Sequence, residues 1–285
     1  MKNKILRIFP YMLCNYSCSY CTAYTKYNSP IKAKEYKQLS ADKWLKVLND
    51  DRIYENYQEG FQIIISGGEP ALYSNFKALC DGLKNRNVCV YSNISEKAHK
   101  VLLTLEKPIK IYPSFNNVIE RQRHGENAFK LWYQRLYEIG QKGHLFYTAH
   151  SPNDFSEGLK DIPDIILKTK IEGYFNHKYY NPHVNEIRIK AAHMRKVKCC
   201  TLQFCIASDG SIYNCQAGLW GKIDKLKIGN ISDTNLWDIP DWFDCDQCGA
   251  CHICSQGKVI TELDGTIIKD NWQFLPILDE LKNGR

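Results

Sequence analysis

The chain has 285 residues, 44% hydrophobic and 12% aromatic, enough for a sizeable core and too apolar for a disordered segment. Its 38 basic and 31 acidic residues leave a formal charge of +7, which invites an acidic partner without compelling nucleic acid. No run approaches the ~18 apolar residues of a membrane span, and Arg7 and Pro10 interrupt the only stretch that resembles the start of a signal peptide. A cytoplasmic location is expected. The 13 cysteines, an odd number in tight clusters, point to metal binding rather than to a disulfide framework.

In chain order, "ILRIFPYML" reads as a strand that runs into "CNYSCSYC" (14–21). A helix follows in "SADKWLKVLND", with Ser40 as N-cap and Ala41, Trp44, Leu45 and Leu48 on one face. "FQIII" (61–65) is an apolar, β-branched run ending in "SGGEP", the pattern of a buried parallel strand. Next come a helix over 74–84, a strand over 88–93, a short helix from Ser95 and a strand over 109–115. The helix predicted over 126–139 aligns Ala128, Trp132, Leu136 and Ile139, and "HLFYTAH" (144–150) and "DIILK" add a strand and a helix. Repeated β-α units imply a parallel sheet, with ligands beyond the carboxyl ends of its strands. Beyond about residue 190 the cysteines thicken and "SDG" and "LDGT" read as hairpin turns, until a helical pattern returns in "NWQFLPILDELKNG". The expected division is 1–194 and 195–285.

Cys14, Cys18 and Cys21 are spaced C-x3-C-x2-C with no fourth cysteine beside them. A structural zinc or an electron-transfer cluster takes four protein ligands. Three thiolates on a four-iron cluster leave one iron open to an exogenous ligand that offers an amine and a carboxylate. No histidine lies close enough in sequence to complete a zinc site.

The triad after the first strand, with Tyr20 just before its last cysteine, resembles the signature of the radical S-adenosylmethionine (SAM) superfamily. The resemblance spans about residues 5–190 and implies a partial (β/α)6 barrel whose [4Fe–4S] cluster binds and cleaves SAM. It places Gly67, Gly68 and Glu69 of "GGEP" at the methionyl amine, with glycines that let backbone approach the ligand. It sets Ser92 and Asn93 against SAM, and Ser114 and Asn116 of "SFN" at the ribose, Asn116 standing where the family has an acid.

"CCTLQFCIASDGSIYNC" (199–215), "IGNISDTNLWDIP" (228–240) and "CDQCGACHIC" (245–254) resemble the SPASM/twitch extension, a small α+β domain carrying auxiliary [4Fe–4S] clusters. The implied ligands are Cys200, Cys215, Cys245, Cys248, Cys251 and Cys254, with Cys199 and Cys205 in reserve. Lys258 stands where the longer form has its next cysteine, so one auxiliary cluster is expected. A two-residue turn at Asp209-Gly210 pairs residue 205 with 214; a three-residue loop with a glycine bulge pairs 205 with 213 and sets Cys205 and Cys215 on one face. Cys80 and Cys89 read as small core residues.

The segment 177–198 carries Lys178, Arg188, Lys190, Arg195, Lys196 and Lys198. It reads as a solvated strand and linker, or as a docking face for an acidic electron donor such as flavodoxin or ferredoxin, or for an acidic substrate. His124, His183 and His193 are isolated and read as local hydrogen-bonding residues. The function these features imply is a radical SAM oxidoreductase or maturase acting by net oxidation. A redox-neutral epimerase and a metal-binding module contacting RNA are the alternatives. The triad begins at Cys14, leaving little chain before it for a leader-binding domain. A small molecule, or a peptide delivered by another protein, is therefore the expected substrate.

Overall fold

The computed structural model describes residues 5–18, 36–56, 62–84, 87–107, 109–140, 145–148, 171–174, 197–200, 203–214, 216–222, 224–236, 239, 242–245, 258–261 and 267–270. Six strands, β1 (Ile5–Tyr11), β2 (Gln62–Gly67), β3 (Val88–Ser92), β4 (Lys110–Asn116), β5 (Leu145–Thr148) and β6 (Ile171–Tyr174), lie side by side in sequence order, all parallel. Between them run helices α1 (Ala41–Leu48), α2 (Asp51–Asn56), α3 (Phe76–Gly82), α4 (Glu96–Leu102), α5 (Asn117–His124) and α6 (Ala128–Glu138). This is a partial (β/α)6 barrel. The expected helix in "DIILK" and the C-terminal helical pattern lie outside the described residues.

One face of the sheet carries the core. Leu6, Ile8, Ile63, Ile65, Val88, Val90 and Ile111 pack beneath Trp44, Leu48, Phe76, Leu79, Ala98 and Trp132 of the helices. The period of two along the strands and of 3.6 along the helices produces this match. α1 buries Ala41, Trp44 and Leu48 as its stripe requires, and Ser40 holds the N-cap position without a side-chain capping bond. Cys80 and Cys89 are buried, and burial raises both thiol pKa values, Cys89 to about 12.

α5 was not legible as a helix. "NVIERQRH" has no apolar stripe, so periodicity reports nothing. Its start is fixed instead by Asn116, whose Oδ1 accepts from Ile119 N at 3.0 Å.

The sheet continues past residue 194. β7 (Val197–Cys200) leads to β8 (Gln203–Ile206), which pairs parallel with β1 and antiparallel with β9 (Ser211–Tyr213). Helix α7 (Gln216–Gly221) then precedes β10 (Lys227–Asn230), the edge strand beyond β9. The β8–β9 turn resolves the register: Cys205 pairs with Tyr213 and Ile206 with Ile212. Gly210, at φ +85, occupies the bulge and donates from its N–H to Ala207 O at 2.9 Å.

A second, antiparallel sheet has the order β11 (Trp242–Cys245), β7, β12 (Lys258–Thr261), β13 (Ile267–Asp270). No helix among the described residues is long and apolar enough to cross a membrane.

Candidate functional site

The loop that leaves β1 carries Cys14 and Cys18, and it lies directly against the end of β2. Gly68 N donates to Tyr11 O at 3.1 Å and Glu69 N to Leu13 O at 2.9 Å. A Cβ at Gly67 would stand 2.1 Å from Tyr11 O, and one at Gly68 2.0 Å from Leu13 O. The glycines of "GGEP" therefore have a first task that does not depend on a ligand: they let the cysteine loop dock on the strand end.

Glu69 ties β2 to β3. Its Oε1 accepts from Ser92 Oγ (3.0 Å) and Ala71 N (3.1 Å), and its Oε2 from Asn93 N (2.7 Å). The carboxyl is buried, and desolvation pushes its pKa up to about 7 although all three donors pull it down. Ser92 Oγ in turn accepts from Ile94 N at 3.1 Å. Ser92 and Glu69 thus serve the frame of the site.

Asn93 reaches from that frame to the cysteines. Its Nδ2 donates to Asn15 Oδ1 at 3.0 Å and lies 3.6 Å from Cys14 Sγ, while its Oδ1 accepts from Ser95 N at 2.9 Å. Asn15 Nδ2 closes the cycle on Ser95 Oγ at 2.8 Å, and Trp132 Nε1 donates to Asn93 O at 3.0 Å. Cys14 Sγ also accepts from Tyr16 N at 3.3 Å.

Across the site, Asn116 Nδ2 lies 2.9 Å from Cys18 Sγ. One amide therefore caps α5 with its oxygen and donates to a sulfur with its nitrogen. An aspartate here could cap but has no N–H to give, a physical reason for Asn116 where the resembled family has an acid. Ser114 is half-buried on β4, paired with Phe146 of β5.

The loop is also held from below. The Tyr16 hydroxyl donates to Glu120 Oε1, and Arg135 Nη2 donates to Glu120 Oε2 at 2.8 Å. Tyr16, Glu120 and Arg135 are 3%, 0% and 7% exposed. Burial and the adjacent carboxylate raise the Tyr16 pKa strongly, so the phenol stays protonated and donating. Arg123 Nη2 donates to Asn15 O at 3.0 Å, with its guanidinium 4.5 Å from the centre of the Tyr16 ring. His124 Nε2 stands 3.6 Å from Glu120 Oε2 and 3.8 Å from Glu96 Oε1, beyond hydrogen-bond distance of either.

The structure brings Cys14, Cys18, Gly67, Gly68, Glu69, Ser92, Asn93 and Asn116 together at the carboxyl ends of β1 to β4. Tyr20 and Cys21 lie outside the described residues, and among those residues no three His, Cys, Asp or Glu side chains form a metal-holding group. Two half-buried thiols, Cys14 facing the N–H groups of Tyr16 and Asn93 and Cys18 that of Asn116, fit thiolate ligation of an iron–sulfur cluster, because such donors stabilise the charged sulfur. Sequence reasoning missed Asn15, Tyr16, Glu120, Arg123 and Arg135. Their partners are about 15 to 108 positions apart in the chain, beyond any periodic pattern.

Of the C-terminal cysteines, Cys215, Cys248, Cys251 and Cys254 lie outside the described residues, as do His183, His193 and residues 177–196. In the second sheet Val197 pairs with Cys245, Cys199 with Phe243, and Cys200 with Trp242 on one side and Lys258 on the other. Alternation places positions 199 and 245 on one face and 200 on the other. Cys205 lies instead in the barrel sheet, beside Arg7, and is buried.

No protein-family model matches the chain. It is 29% identical over 106 residues to a cysteine-type anaerobic sulfatase-maturating enzyme of Clostridium perfringens (strain 13 / Type A), covering 36% of this chain and 27% of that protein. The enzyme of strain ATCC 13124 gives the same figures. The matched part of the chain thus spans little more than a quarter of these curated relatives. Among solved structures, Streptococcus suis SuiB bound to precursor peptide SuiA superposes with a TM-score of 0.55 at 15% identity, over 83% of this chain and 64% of that one. Native anSMEcpe with bound AdoMet gives 0.52 at 17%, over 81% and 79%, and its complex with AdoMet and the Kp18Cys peptide gives 0.51 at 16%, over 81% and 78%. At these identities the likeness is one of fold.

Proposed function

We propose, for a chain that has the radical SAM fold, that it is a SAM-cleaving enzyme acting on a peptide. Cys14, Cys18 and Cys21 would hold a [4Fe–4S] cluster. Such a cluster would supply the electron for reductive cleavage of SAM, the source of a 5′-deoxyadenosyl radical that would abstract hydrogen from the substrate. The observation that carries this reading is the pair of amides, Asn93 and Asn116, that end two neighbouring strands and reach Cys14 and Cys18. The backbone of Gly67, Gly68 and Glu69 would meet the methionyl end, and Ser114 and Asn116 the ribose side. A peptide substrate follows the solved relatives, whose structures hold peptides.

We assign the overall reaction as a two-electron oxidation, in which an auxiliary cluster held by four thiolates drawn from Cys215, Cys245, Cys248, Cys251, Cys254 and one of Cys199 and Cys200 would take the second electron. An acidic flavodoxin or ferredoxin would supply the first electron. Cys199 and Cys205 are the thiols that could return hydrogen in an epimerase, and burial of Cys205 counts against that one. The test is anaerobic reconstitution of the wild type and of a variant with Cys14, Cys18 and Cys21 all changed to Ala. 5′-Deoxyadenosine should form with dithionite only in the wild type, and undiminished formation in the variant overturns the assignment. With substrate in hand, a product two hydrogens lighter supports oxidation; unchanged mass with one solvent deuterium makes the protein an epimerase.

A further inference from the structure

Parallel strands covered on both faces read as continuous apolar runs. The helix side of this barrel obeys, with Ile8, Ile63, Ile65, Val90 and Ile111 in the core. The other face does not. Arg7 pairs with Ile64, Ile64 with Cys89, and Cys89 with Lys110, so two cations share one register row. Two residues along, Tyr91 pairs with Tyr112, and their rings stack 5.0 Å apart at 23°.

The Arg7 guanidinium lies 5.3 Å from the centre of the Tyr91 ring, and the Lys110 ammonium 4.7 Å from that of Tyr112. Both charges also act on the buried Cys89 thiol between them. Arg7, Tyr91 and Tyr112 are half-buried and Lys110 is exposed. Toward β8 and β9 the same face is closed, with Trp220 of α7 edge-on to Phe9 at 5.4 Å. Tyr112 precedes Ser114 by two residues, about 7 Å along the strand. A group seated on the tyrosines is therefore next to the candidate SAM site.

We propose that Arg7 and Lys110, flanking the Tyr91–Tyr112 stack, each seat a carboxylate of an acidic peptide substrate. Two cations on the inner face of a barrel complement an anion, and the flat stack accepts the extended peptide beside it. The inference rests on the radical SAM reading for its chemistry and on this face for its specificity. Arg7 and Lys110 are then residues that choose the substrate.

The probe is a fluorescein-labelled octapeptide alternating glutamate and glycine, with a glutamine-for-glutamate twin and a lysine-for-glutamate twin. Binding is read by fluorescence anisotropy on the anaerobically reconstituted full chain. The acidic peptide should bind the wild type about tenfold or more tightly than its glutamine twin. Arg7→Gln with Lys110→Gln should abolish the difference. Lys97→Gln with Lys100→Gln, an equal loss of charge at exposed positions on α4, should leave it. Lys110→Glu should shift the preference toward the lysine peptide, a gain that misfolding cannot imitate. Equal binding of the acidic and glutamine peptides by the wild type overturns the proposal. So does a preference that survives the first double variant, or one that falls equally in the second. 5′-Deoxyadenosine formation by the same wild-type preparation separates the two readings. Cleavage without a charge preference removes this inference alone, and a charge preference without cleavage removes the radical SAM reading alone.

Discussion

Tyr16 and Glu120 meet across 104 positions of chain, the phenol of the cysteine loop donating to a carboxylate buried on α5. Arg135 of α6 holds the other carboxylate oxygen. The loop is thus anchored by a buried ion pair rather than by apolar packing alone.

That arrangement ranks two substitutions. Tyr16→Phe removes one hydrogen bond and leaves Glu120 paired with Arg135, so it should destabilise by about 1–3 kcal/mol. Glu120→Ala leaves Arg135 buried without its carboxylate and should destabilise by about 3–5 kcal/mol. Urea unfolding under anaerobic conditions checks the order. Similar losses in both variants would mean that the pair with Arg135 contributes little.

The glycines give a sharper contrast. At Gly68 a Cβ would meet the Leu13 carbonyl at 2.0 Å and Cys14 N at 2.6 Å, whereas at Gly140, φ +71, it would meet nothing within 4 Å. Gly140→Ala should therefore carry only the backbone strain of a left-handed residue, about 1–2 kcal/mol, with full iron loading. Gly68→Ala must push the cysteine loop away and should lose most of the iron bound at the N-terminal triad. Iron and sulfide analysis of both variants decides it, and normal loading in Gly68→Ala would show that the loop has room to move.

Glu69 predicts a pH dependence of folding. Its folded pKa, about 7, stands above its ordinary value of 4.5 because burial disfavours the charge. The folded state therefore binds the proton more tightly than the unfolded chain. Stability from this group is full below about pH 4.5, falls as pH rises toward 7, and is lost above it, with a slope of at most about 1.4 kcal/mol per pH unit. Glu69→Gln should flatten the profile between pH 5 and 7.5 relative to wild type. Parallel profiles for the two proteins would show that Glu69 is already ionised at pH 5, its three donors outweighing burial.

β2 is legible in the sequence because the β-branched run Ile63-Ile64-Ile65, closed by the glycines of "SGGEP", is too short for a helix and fits a buried strand. The register at Cys205 was open between two turns until Gly210 took the bulge. The site was legible only in its ligands. "CNYSC" announces thiols, but nothing in it says that Tyr16 is buried against Glu120 or that Arg123 lies over its ring. Asn116 stands where the resembled family has an acid, and its amide both accepts from Ile119 N and donates to Cys18 Sγ, which an ionised carboxylate cannot do. Long-range polar pairs have no period, so they become visible only when the chain is folded.

The second sheet bears on which adjacent cysteine serves the auxiliary cluster. The resemblance to the SPASM/twitch extension implies Cys200 as the ligand, with Cys199 in reserve. Register gives a different preference, because position 199 shares a face with 245 whereas 200 lies on the opposite one. Ligands of one cluster must converge, so the pair of faces should not contribute equally. In a background lacking the N-terminal triad, Cys199→Ala should lose the remaining iron and its absorbance near 400 nm. Cys200→Ala should keep both. The reverse result would return the assignment to Cys200 and place the cluster on the side of the sheet where Lys258 is its cross-strand neighbour. Loss in both variants would mean that the end of β7 bends, so that alternation no longer separates the two positions.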